Sequence, residues 1–517
     1  MTEPLVLQGG ILTLQNVLLV LGLYMAVVLV IAYYANRHLS VEPEDYYLGG
    51  GLGTLVLTGT VLATWYSTFA FLGGPGTYYT SGTSWLYFAF FNITGALLIW
   101  VVGTRFWLLG QRFDHITPSD LVAGFYEEDD GVRILVALIA ILALVPYAVI
   151  QLTGAAQALV GATGASEYFV WGVVALMVMV TFYLYVGGLR AVAWIDTLQG
   201  AIFMSLLVIT AGVVVLWAGG IETGFSLALK NNEELWVFTA SESPGEWYTG
   251  ALIWTVAWVF IPHMWQRMLM AKNPKVIAKT SILSGTAALW IITFSAVIIG
   301  GISSGMIPEL PDGVPADGLM AYVYTEIFPA GALFIVVAAF AAGMSTISSQ
   351  ILTSSSIFVR DIVKRPFRPN MESTREGQIG RYFTVVFSAV VLAFALSPAA
   401  EQAIIPLATD GVALALLYVP CVVGLLVWEN ASTAGAKWSL LLGLVFMQLS
   451  IWTPFGDVFP YFGPPVYGLV FATLVYYVVS KATTPVPEDH QNEYREVLIK
   501  GMRIHDSSAA QPVTSDG

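Results

Sequence analysis

Long apolar runs alternate with short polar segments along nearly the whole chain. Each run has about the 20 residues that an α-helix needs to cross a bilayer, and the pattern predicts an all-α polytopic membrane protein with about 13 transmembrane helices. The predicted spans are residues 15–36, 53–79, 84–109, 134–161, 167–187, 192–218, 247–268, 280–304, 330–358, 380–397, 402–428, 437–454 and 461–480.

The second run carries a break in an otherwise apolar helix pattern. It reads LATWYSTFAFLGGPGTYY, and we expect the chain to unwind at Gly73, Gly74, Pro75 and Gly76. Unpaired backbone groups are tolerated at membrane depth only where they are buried in protein or face a wet cavity, so a break indicates a ligand or ion site. The alternative is a proline-kinked helix whose neighbours satisfy the freed groups.

A second break, before Pro262 in the seventh run, indicates an internal repeat. Two blocks of five spans would each open with a broken helix, and the odd number of crossings would invert the second block. The predicted units are an extra N-terminal helix (1–50), two inverted repeats (51–219 and 246–430), two peripheral helices (431–480) and a cytoplasmic polar tail (481–517).

The basic residues favour one orientation in the cell membrane. With the N-terminus outside and the C-terminus in the cytoplasm, all the Lys and Arg residues except Lys230 lie in cytoplasmic segments or at the adjoining ends of spans. An excess of Lys and Arg is typical of the cytoplasmic loops of membrane proteins.

Composition narrows the functional classes. The chain is 57% hydrophobic and 11% charged with a net charge of −13, and we find no basic patch for nucleic acid. One cysteine, Cys421, excludes an intramolecular disulfide, and only His263 of the five histidines lies within a predicted span. No nucleophile, base and acid set is evident within the spans, so we do not expect an enzyme.

The ninth span is unusually rich in hydroxyl groups. Its interior, VVAAFAAGMSTISSQILTSSS, includes Ser345, Thr346, Ser348, Ser349 and Gln350. Such residues return hydrogen bonds to their own helix or help helices pack. They also supply the uncharged oxygens that a hard cation such as Na⁺ accepts, together with carbonyls freed in the broken second span. The residues alone leave both interpretations open.

Three charged residues within the spans each permit two interpretations. Asp196, near Arg190 at the predicted start of a span, is either stabilised by a helix dipole or a cation ligand. Arg267 is expected to extend to the cytoplasmic interface. The alternative is that it pairs with an acidic residue in a gate. Asp410 is either a proton or cation site or a buried acid hydrogen-bonded near the outer surface.

Four motifs give the chain a specific resemblance. They are YSTFAFLGGPGTYY, GGLRAVAWIDTLQG, IPHMWQR and AAGMSTISSQILTSSS, the last followed by RD, and they occur in this order. The chain resembles the sodium:solute symporter family over about residues 15–480. The resemblance implies a LeuT-type 5+5 inverted repeat with extra helices at both ends, and Na⁺-driven alternating access.

The resemblance also implies an ion site. Na⁺, the coupling ion, would be held by backbone carbonyls and hydroxyls of Ala63, Tyr66, Ala342, Ser345 and Thr346. A second Na⁺, or support for the first, would involve Asp196, Ser348 and Ser349.

Six residues are candidates for the solute site. Trp254 and Trp258 match positions that touch substrate in the proline branch of the family, although aromatic residues at this spacing also serve packing. Ser67 and Thr68, which follow the Na⁺-site residues of the broken second span, and Tyr147 and Gln151 of the fourth span complete the set. Half-helix N-termini that point into the site would favour a carboxylate.

The predicted function is secondary active uptake of a small organic solute, coupled to Na⁺. The solute is expected to carry a carboxylate, as in proline, pantothenate or a monocarboxylate. Alternatives are a transporter-like solute sensor, or the same fold driven by H⁺ or carrying a sugar. The expected partners are the solute, Na⁺ and the lipid bilayer, with no nucleic acid and no obligate protein partner.

Overall fold

The computed structural model describes residues 14–36, 51–236, 244–400, 404–458 and 461–502. The first half contains α1 (Leu14–Asn36), α2 (Thr54–Thr68, Phe69–Gly73 and Gly74–Ser81), α3 (Tyr87–Phe113), α4 (Pro118–Phe125), α5 (Asp130–Thr163), α6 (Tyr168–Trp217), α7 (Ile221–Asn231) and α8 (Glu233–Trp236).

The second half begins with α9 (Pro244–Leu252, Ile253–Ala257, Trp258–Phe260 and Pro262–Leu269). It continues with α10 (Pro274–Ala287, Ala288–Thr293 and Phe294–Met306), α11 (Leu319–Ile327), α12 (Pro329–Ile357, Phe358–Lys364 and Arg365–Phe367), α13 (Ser373–Ala395), α14 (Ile404–Ala413, Leu414–Tyr418 and Val419–Val427), α15 (Thr433–Trp452), α16 (Pro464–Ala482) and α17 (Glu488–Met502).

The helices confirm the polytopic membrane class. Within the described residues, ten helices are long and apolar enough to span a membrane. Three shorter apolar helices, Gln15–Ile31, Tyr168–Leu184 and Trp247–Phe260, coincide with further predicted spans.

The helix α6 covers two of the predicted spans. Its 50 residues would extend about 75 Å if straight, more than twice the thickness of a bilayer core. Both ends nevertheless lie near the same segment. Gly161, just before α6, packs against Gly318, while Val214 and Ala218 at the far end share a cluster with Leu319. The segment therefore crosses the protein and returns.

Burial separates central from peripheral helices. In the most apolar stretch of α2, 83% of the residues are buried inside the protein, whereas only 28% are buried in the corresponding stretch of α16. The apolar outer faces of the peripheral helices suit contact with lipid, which leaves α2, α5, α12 and α14 as the core.

The predicted polar tail contains a docked helix. Tyr494 of α17 is buried and stacks on Phe113 with ring centroids 4.2 Å apart. His490 Nε2 lies 3.0 Å from Gly124 O, so α17 is fixed to the connection between α3 and α5. Residues 503–517 of the tail lie outside the described residues.

Candidate functional site

The break in α2 lies at Ser67, not at the glycine run. Ser67 has φ 28° and ψ −160°, a conformation that is costly for a residue with a side chain. Its hydroxyl accepts a hydrogen bond from Phe69 N at 3.2 Å. The prediction that the chain unwinds at Gly73, Gly74, Pro75 and Gly76 is wrong, since helix continues through these residues.

The glycines serve close packing instead. A Cβ atom on Gly76 would lie only 2.7 Å from Ala316 O. On the facing helix, a Cβ atom on Gly300 would lie 2.4 Å from Pro75 O. Pro75 lies where the α-helical turn Gly74–Ser81 directly follows the π-helical turn Phe69–Gly73, so a change in helix geometry accompanies the backbone hydrogen bond that proline cannot make.

The break in α9 falls where the Ile261-Pro262 pair predicts it. Ile261 is extended, with φ −62° and ψ 130°, and Pro262 begins the next helix. A residue before proline is disfavoured in helical conformation, which explains the interruption locally.

The predicted Na⁺ ligands meet at the break in α2. Ser345 Oγ donates to Ala63 O at 3.1 Å and to Ala342 O at 2.9 Å, and Thr346 Oγ1 lies 3.3 Å from Ala63 O. Tyr66 O accepts from Phe69 N–H just beyond the break.

These groups are fully buried and carry no formal charge. A hydroxyl group that donates here can rotate and offer a lone pair to a cation, while the carbonyl that it releases also faces that cation. Thr64 O, 3.3 Å from Thr346 Oγ1, is a further oxygen that the sequence reasoning missed. The arrangement therefore offers enough oxygens for a hard monovalent cation.

Asp196 is paired with Arg267. The two side chains are buried, and Arg267 Nη2 lies 2.9 Å from Asp196 Oδ2. The prediction that Arg267 extends to the interface is therefore wrong, because its guanidinium is held inside the protein. Asp196 lies near the start of the second membrane crossing of α6, Trp194–Trp217. The side chain of Arg190 lies outside the described residues.

Hydroxyl groups connect this ion pair to the predicted Na⁺ site. Thr60 Oγ1 donates to Asp196 Oδ2 at 2.9 Å, and Arg267 donates to Ser349 Oγ. Ser349 Oγ and Ser348 Oγ lie 3.1 and 3.3 Å from Ser345 O. Thr60 had no signal in the sequence, because only the tertiary fold brings it beside Asp196.

The polar candidates for the solute site also come together. Thr68 Oγ1 donates to Gln151 Oε1 at 2.8 Å, and the Thr68 amide lies 3.4 Å from the same oxygen. Gln151 Nε2 donates to Tyr147 O at 3.1 Å. The Gln151 side chain of α5 thus accepts a backbone hydrogen bond that the broken α2 no longer makes internally.

An aromatic layer adjoins these polar groups. The ring centroids of Trp254 and Trp258 are 5.6 Å apart, and Trp258 lies 5.7 Å from Tyr147. Sequence reasoning missed two members of this layer, Phe69, 4.5 Å from Trp254, and Trp65, 5.7 Å from Trp258. Both belong to the LATWYSTFAFLGGPG run of the second span, so their proximity to the break was the available signal.

Asp410 lies apart from these contacts. It is half-buried in α14, and its carboxylate makes no hydrogen bond or ion pair with any described residue. Both sequence interpretations of Asp410 stay open.

A second cluster of charged residues lies where α4 meets the ends of α5 and α12. Arg133 is buried and pairs with Asp120 at 2.7 Å and Asp361 at 3.7 Å. Burial alone would raise the pKa of Asp120, but nearby arginines, above all Arg133, hold it below its ordinary value. Burial lowers the pKa of His115 to about 4. The charges in this cluster are mutually compensated, in contrast to the uncharged oxygens at Ser345.

Comparison with known proteins decides the family. The model of the Sodium:solute symporter family matches residues 46–443. The chain belongs to this family. Na⁺ is therefore the coupling ion, and this symporter is a multi-pass membrane protein that transports a small solute.

Two bacterial relatives are similar over nearly the whole symporter. The sodium/pantothenate symporter of Escherichia coli is 28% identical over 491 residues, covering 92% of this chain and 98% of its own. The sodium/proline symporter of Staphylococcus aureus is 25% identical over 479 residues, covering 90% and 92%.

Solved structures show the fold. A substrate-bound, outward-open Na⁺-coupled sialic acid symporter has a TM-score of 0.74 at 18% identity, with 91% of this chain and 99% of that chain covered. Mhp1, a nucleobase-cation-symport-1 family transporter in a closed conformation, has a TM-score of 0.53 at 15% identity, with 88% and 98% covered. The symporter therefore has the LeuT-type fold that the sequence motifs implied.

Proposed function

We propose that this symporter takes up a small carboxylate-bearing solute with Na⁺ bound between α2 and α12. The observation that carries the proposal is the contact of the Ser345 and Thr346 hydroxyls with the Ala63 carbonyl at the broken helix. The proposed Na⁺ ligands are Ala63 O, Tyr66 O, Ala342 O, Ser345 Oγ and Thr346 Oγ1.

Binding of Na⁺ at this position would couple ion and solute through the break. The ion would fix α2 against α12, and the next residues, Ser67 and Thr68, belong to the solute site. A ligand can shift a conformational equilibrium only through different affinities for the two states. Na⁺ that prefers the outward-open state would raise solute affinity there, and by linkage the solute would raise the affinity for Na⁺.

The proposed solute site contains Ser67, Thr68, Tyr147, Gln151, Trp254 and Trp258. The second half of α2 begins beside Ser67, and the second half of α9 begins at Pro262. Helix N-termini present free N–H groups and a positive dipole end, which favour a carboxylate. The names of the relatives support this class, since pantothenate and proline are both carboxylates.

Asp196, Ser348 and Ser349 support the first ion in this proposal and do not hold a second one. A Na⁺ at Asp196 would lie against the guanidinium of Arg267, which already contacts both Asp196 and Ser349. Two adjacent buried positive charges repel each other strongly. A measured coupling ratio of one Na⁺ per solute would support this assignment, and a ratio of two would contradict it.

The ion site is tested in proteoliposomes with an outward-to-inward Na⁺ gradient. Ser345→Ala and Thr346→Ala should each raise the Na⁺ concentration for half-maximal uptake by about tenfold or more, since even outer-shell changes cost metal sites tenfold. Ser355→Ala is the matched control, because this hydroxyl lies on the same helix but donates to Gly380 O. Unchanged Na⁺ dependence in the first two variants would reject the site.

The solute is tested with labelled proline, pantothenate, acetate, pyruvate and glucose. We expect Na⁺-dependent accumulation of one of the carboxylates, entering from the side opposite the C-terminus. Uptake of glucose alone would reject the carboxylate class. Binding of a solute without transmembrane flux would favour a sensor.

A further inference from the structure

Three polar side chains beside the break in α9 lack partners in the described structure. His263 is 0% exposed, and neither Nδ1 nor Nε2 has a hydrogen-bond partner among the described residues. The same holds for both amide atoms of Gln350 and for Trp258 Nε1. Buried polar groups nearly always have a partner, so such a concentration indicates a bound molecule.

The helix register places His263 and Gln350 at the same depth. Near the break, Trp258 of α9 contacts Trp65, while Thr346 of α12 lies 3.3 Å from the neighbouring Thr64 O. Further along both helices, Gln266 accepts from Thr353 Oγ1 at 2.7 Å. The two segments therefore run in parallel.

His263 comes one turn before Gln266, and Gln350 one turn before Thr353. Both side chains therefore lie between the level of the break and the level of the Gln266 contact.

His263 and Gln350 lie next to the proposed solute site. The Tyr147 ring lies 5.7 Å from the His263 ring, with 24° between their planes, and 5.7 Å from Trp258. The Tyr147 carbonyl also accepts a hydrogen bond from Gln151 Nε2, and Gln151 Oε1 accepts one from Thr68 Oγ1 at the break. The unpartnered groups thus adjoin the residues proposed to hold the solute.

The chemistry of these groups favours an uncharged polar part of the ligand. A neutral imidazole and an amide each provide a donor and an acceptor, and an indole provides a donor. The nearest charge on the same helix, Arg267, is engaged by Asp196. A hydroxyl or amide group satisfies such a mixed set, whereas a carboxylate can only accept hydrogen bonds.

We propose that His263, Gln350 and Trp258 bind the uncharged part of the solute through a hydroxyl or amide group. The carboxylate would lie at the helix N-termini, one turn away. This inference rests on the proposed function. It narrows the substrate class to carboxylic acids that also carry a hydroxyl or amide group.

Two pairs of labelled probes test the selectivity of the wild-type symporter. Pantothenate and β-alanine share a carboxylate end, but only pantothenate carries the dihydroxy amide part; lactate and propionate differ by one hydroxyl. We expect Na⁺-driven uptake in proteoliposomes to prefer the hydroxyl- or amide-bearing member of at least one pair. No preference in either pair overturns the inference.

Two variants then test the residues. His263→Phe keeps a ring against Tyr147 but removes both nitrogens, and Gln350→Met keeps the length of the side chain. Each should raise the half-saturating concentration of the preferred probe by about tenfold, the effect of losing one buried hydrogen bond. Uptake of the poorer probe should be unchanged. Met264→Leu, at the buried neighbour of His263, is the matched control.

The outcomes separate this inference from the proposed function. Variants that keep the wild-type Na⁺ dependence but lose selectivity support both proposals. Variants with unchanged selectivity overturn the inference and leave the Na⁺ site intact, as expected if only water fills the position. If His263→Phe does not fold, Gln350→Met and His263→Gln decide the matter, since His263→Gln should retain part of the selectivity.

Discussion

The two interrupted helices of this symporter break for different reasons. In α2 the break falls at Ser67, where neither glycine nor proline occurs, and its positive φ is accompanied by hydrogen bonds to α5 and α12. In α9 the break falls at Ile261, which is extended because Pro262 follows it. One break depends on distant side chains and the other on its own sequence.

This difference assigns the two breaks different roles. A conformation held by tertiary hydrogen bonds changes when those bonds are exchanged for bonds to an ion or solute. A conformation fixed by proline persists in every state. We therefore expect α2 to respond to ligands, while the α9 break provides a constant hinge whose second half is held by Arg267.

The largest effect should come from removing the charge of Arg267. Arg267→Met leaves Asp196 buried without its cation and should lower the free energy of unfolding by about 3–5 kcal/mol. Thermal unfolding of purified protein measures this loss. The double variant Arg267→Met with Asp196→Asn should recover much of it, and equal losses in both variants would show that the ion pair is not the cause.

Gly76→Ala tests the packing role of the glycine run. The added methyl group meets the backbone of Ala316, so we expect a loss of about 1–3 kcal/mol. Gly73→Ala is the matched comparison, because its nearest neighbours are Ile404 and Ile405 side-chain atoms at 3.3 Å that can shift. Similar losses at both positions would mean that close backbone approach does not explain Gly76.

Thr68→Val tests the tertiary support of the first break. Valine removes the hydrogen bonds from the Thr68 hydroxyl to Gln151 Oε1 and Ile150 O. Gln151 Oε1 then keeps only the bond from the backbone amide of residue 68, at 3.4 Å. We expect a loss of about 1–2 kcal/mol in thermal unfolding and weaker solute uptake. A variant as stable and active as the wild type would show that α2 keeps its break without this support.

Pro262→Ala should have the smallest effect. Alanine accepts the backbone angles of position 262 but no longer restricts Ile261, so the native break stays accessible and the unfolded chain gains freedom worth about 0.4–1 kcal/mol. Unfolding curves of Pro262→Ala and Thr68→Val, recorded side by side, compare the two breaks. A larger loss for Pro262→Ala than for Thr68→Val would show that the restriction on Ile261 stabilises the fold more than the tertiary hydrogen bonds of Thr68.

Several features of the site were predictable because they depend on local pattern. The hydroxyls of Ser345 and Thr346 stand out in an apolar span, and Pro262 marks its own break. The position of the α2 break was not predictable from glycine and proline, since Gly76 meets a close backbone and Ser67 is held from outside. Arg267 resembled an interfacial residue because its partner, Asp196, is 71 positions away.

The sequence by itself determined the membrane class, the approximate spans, the family motifs and the break at Pro262. These follow from hydrophobic length and from backbone restrictions that act between neighbours. Only the tertiary structure decided where α2 breaks, that Asp196 and Arg267 neutralise each other, and that His263 and Gln350 share one level. Each depends on side chains from different helices meeting in a medium without water, where a polar group is stable only beside its partner.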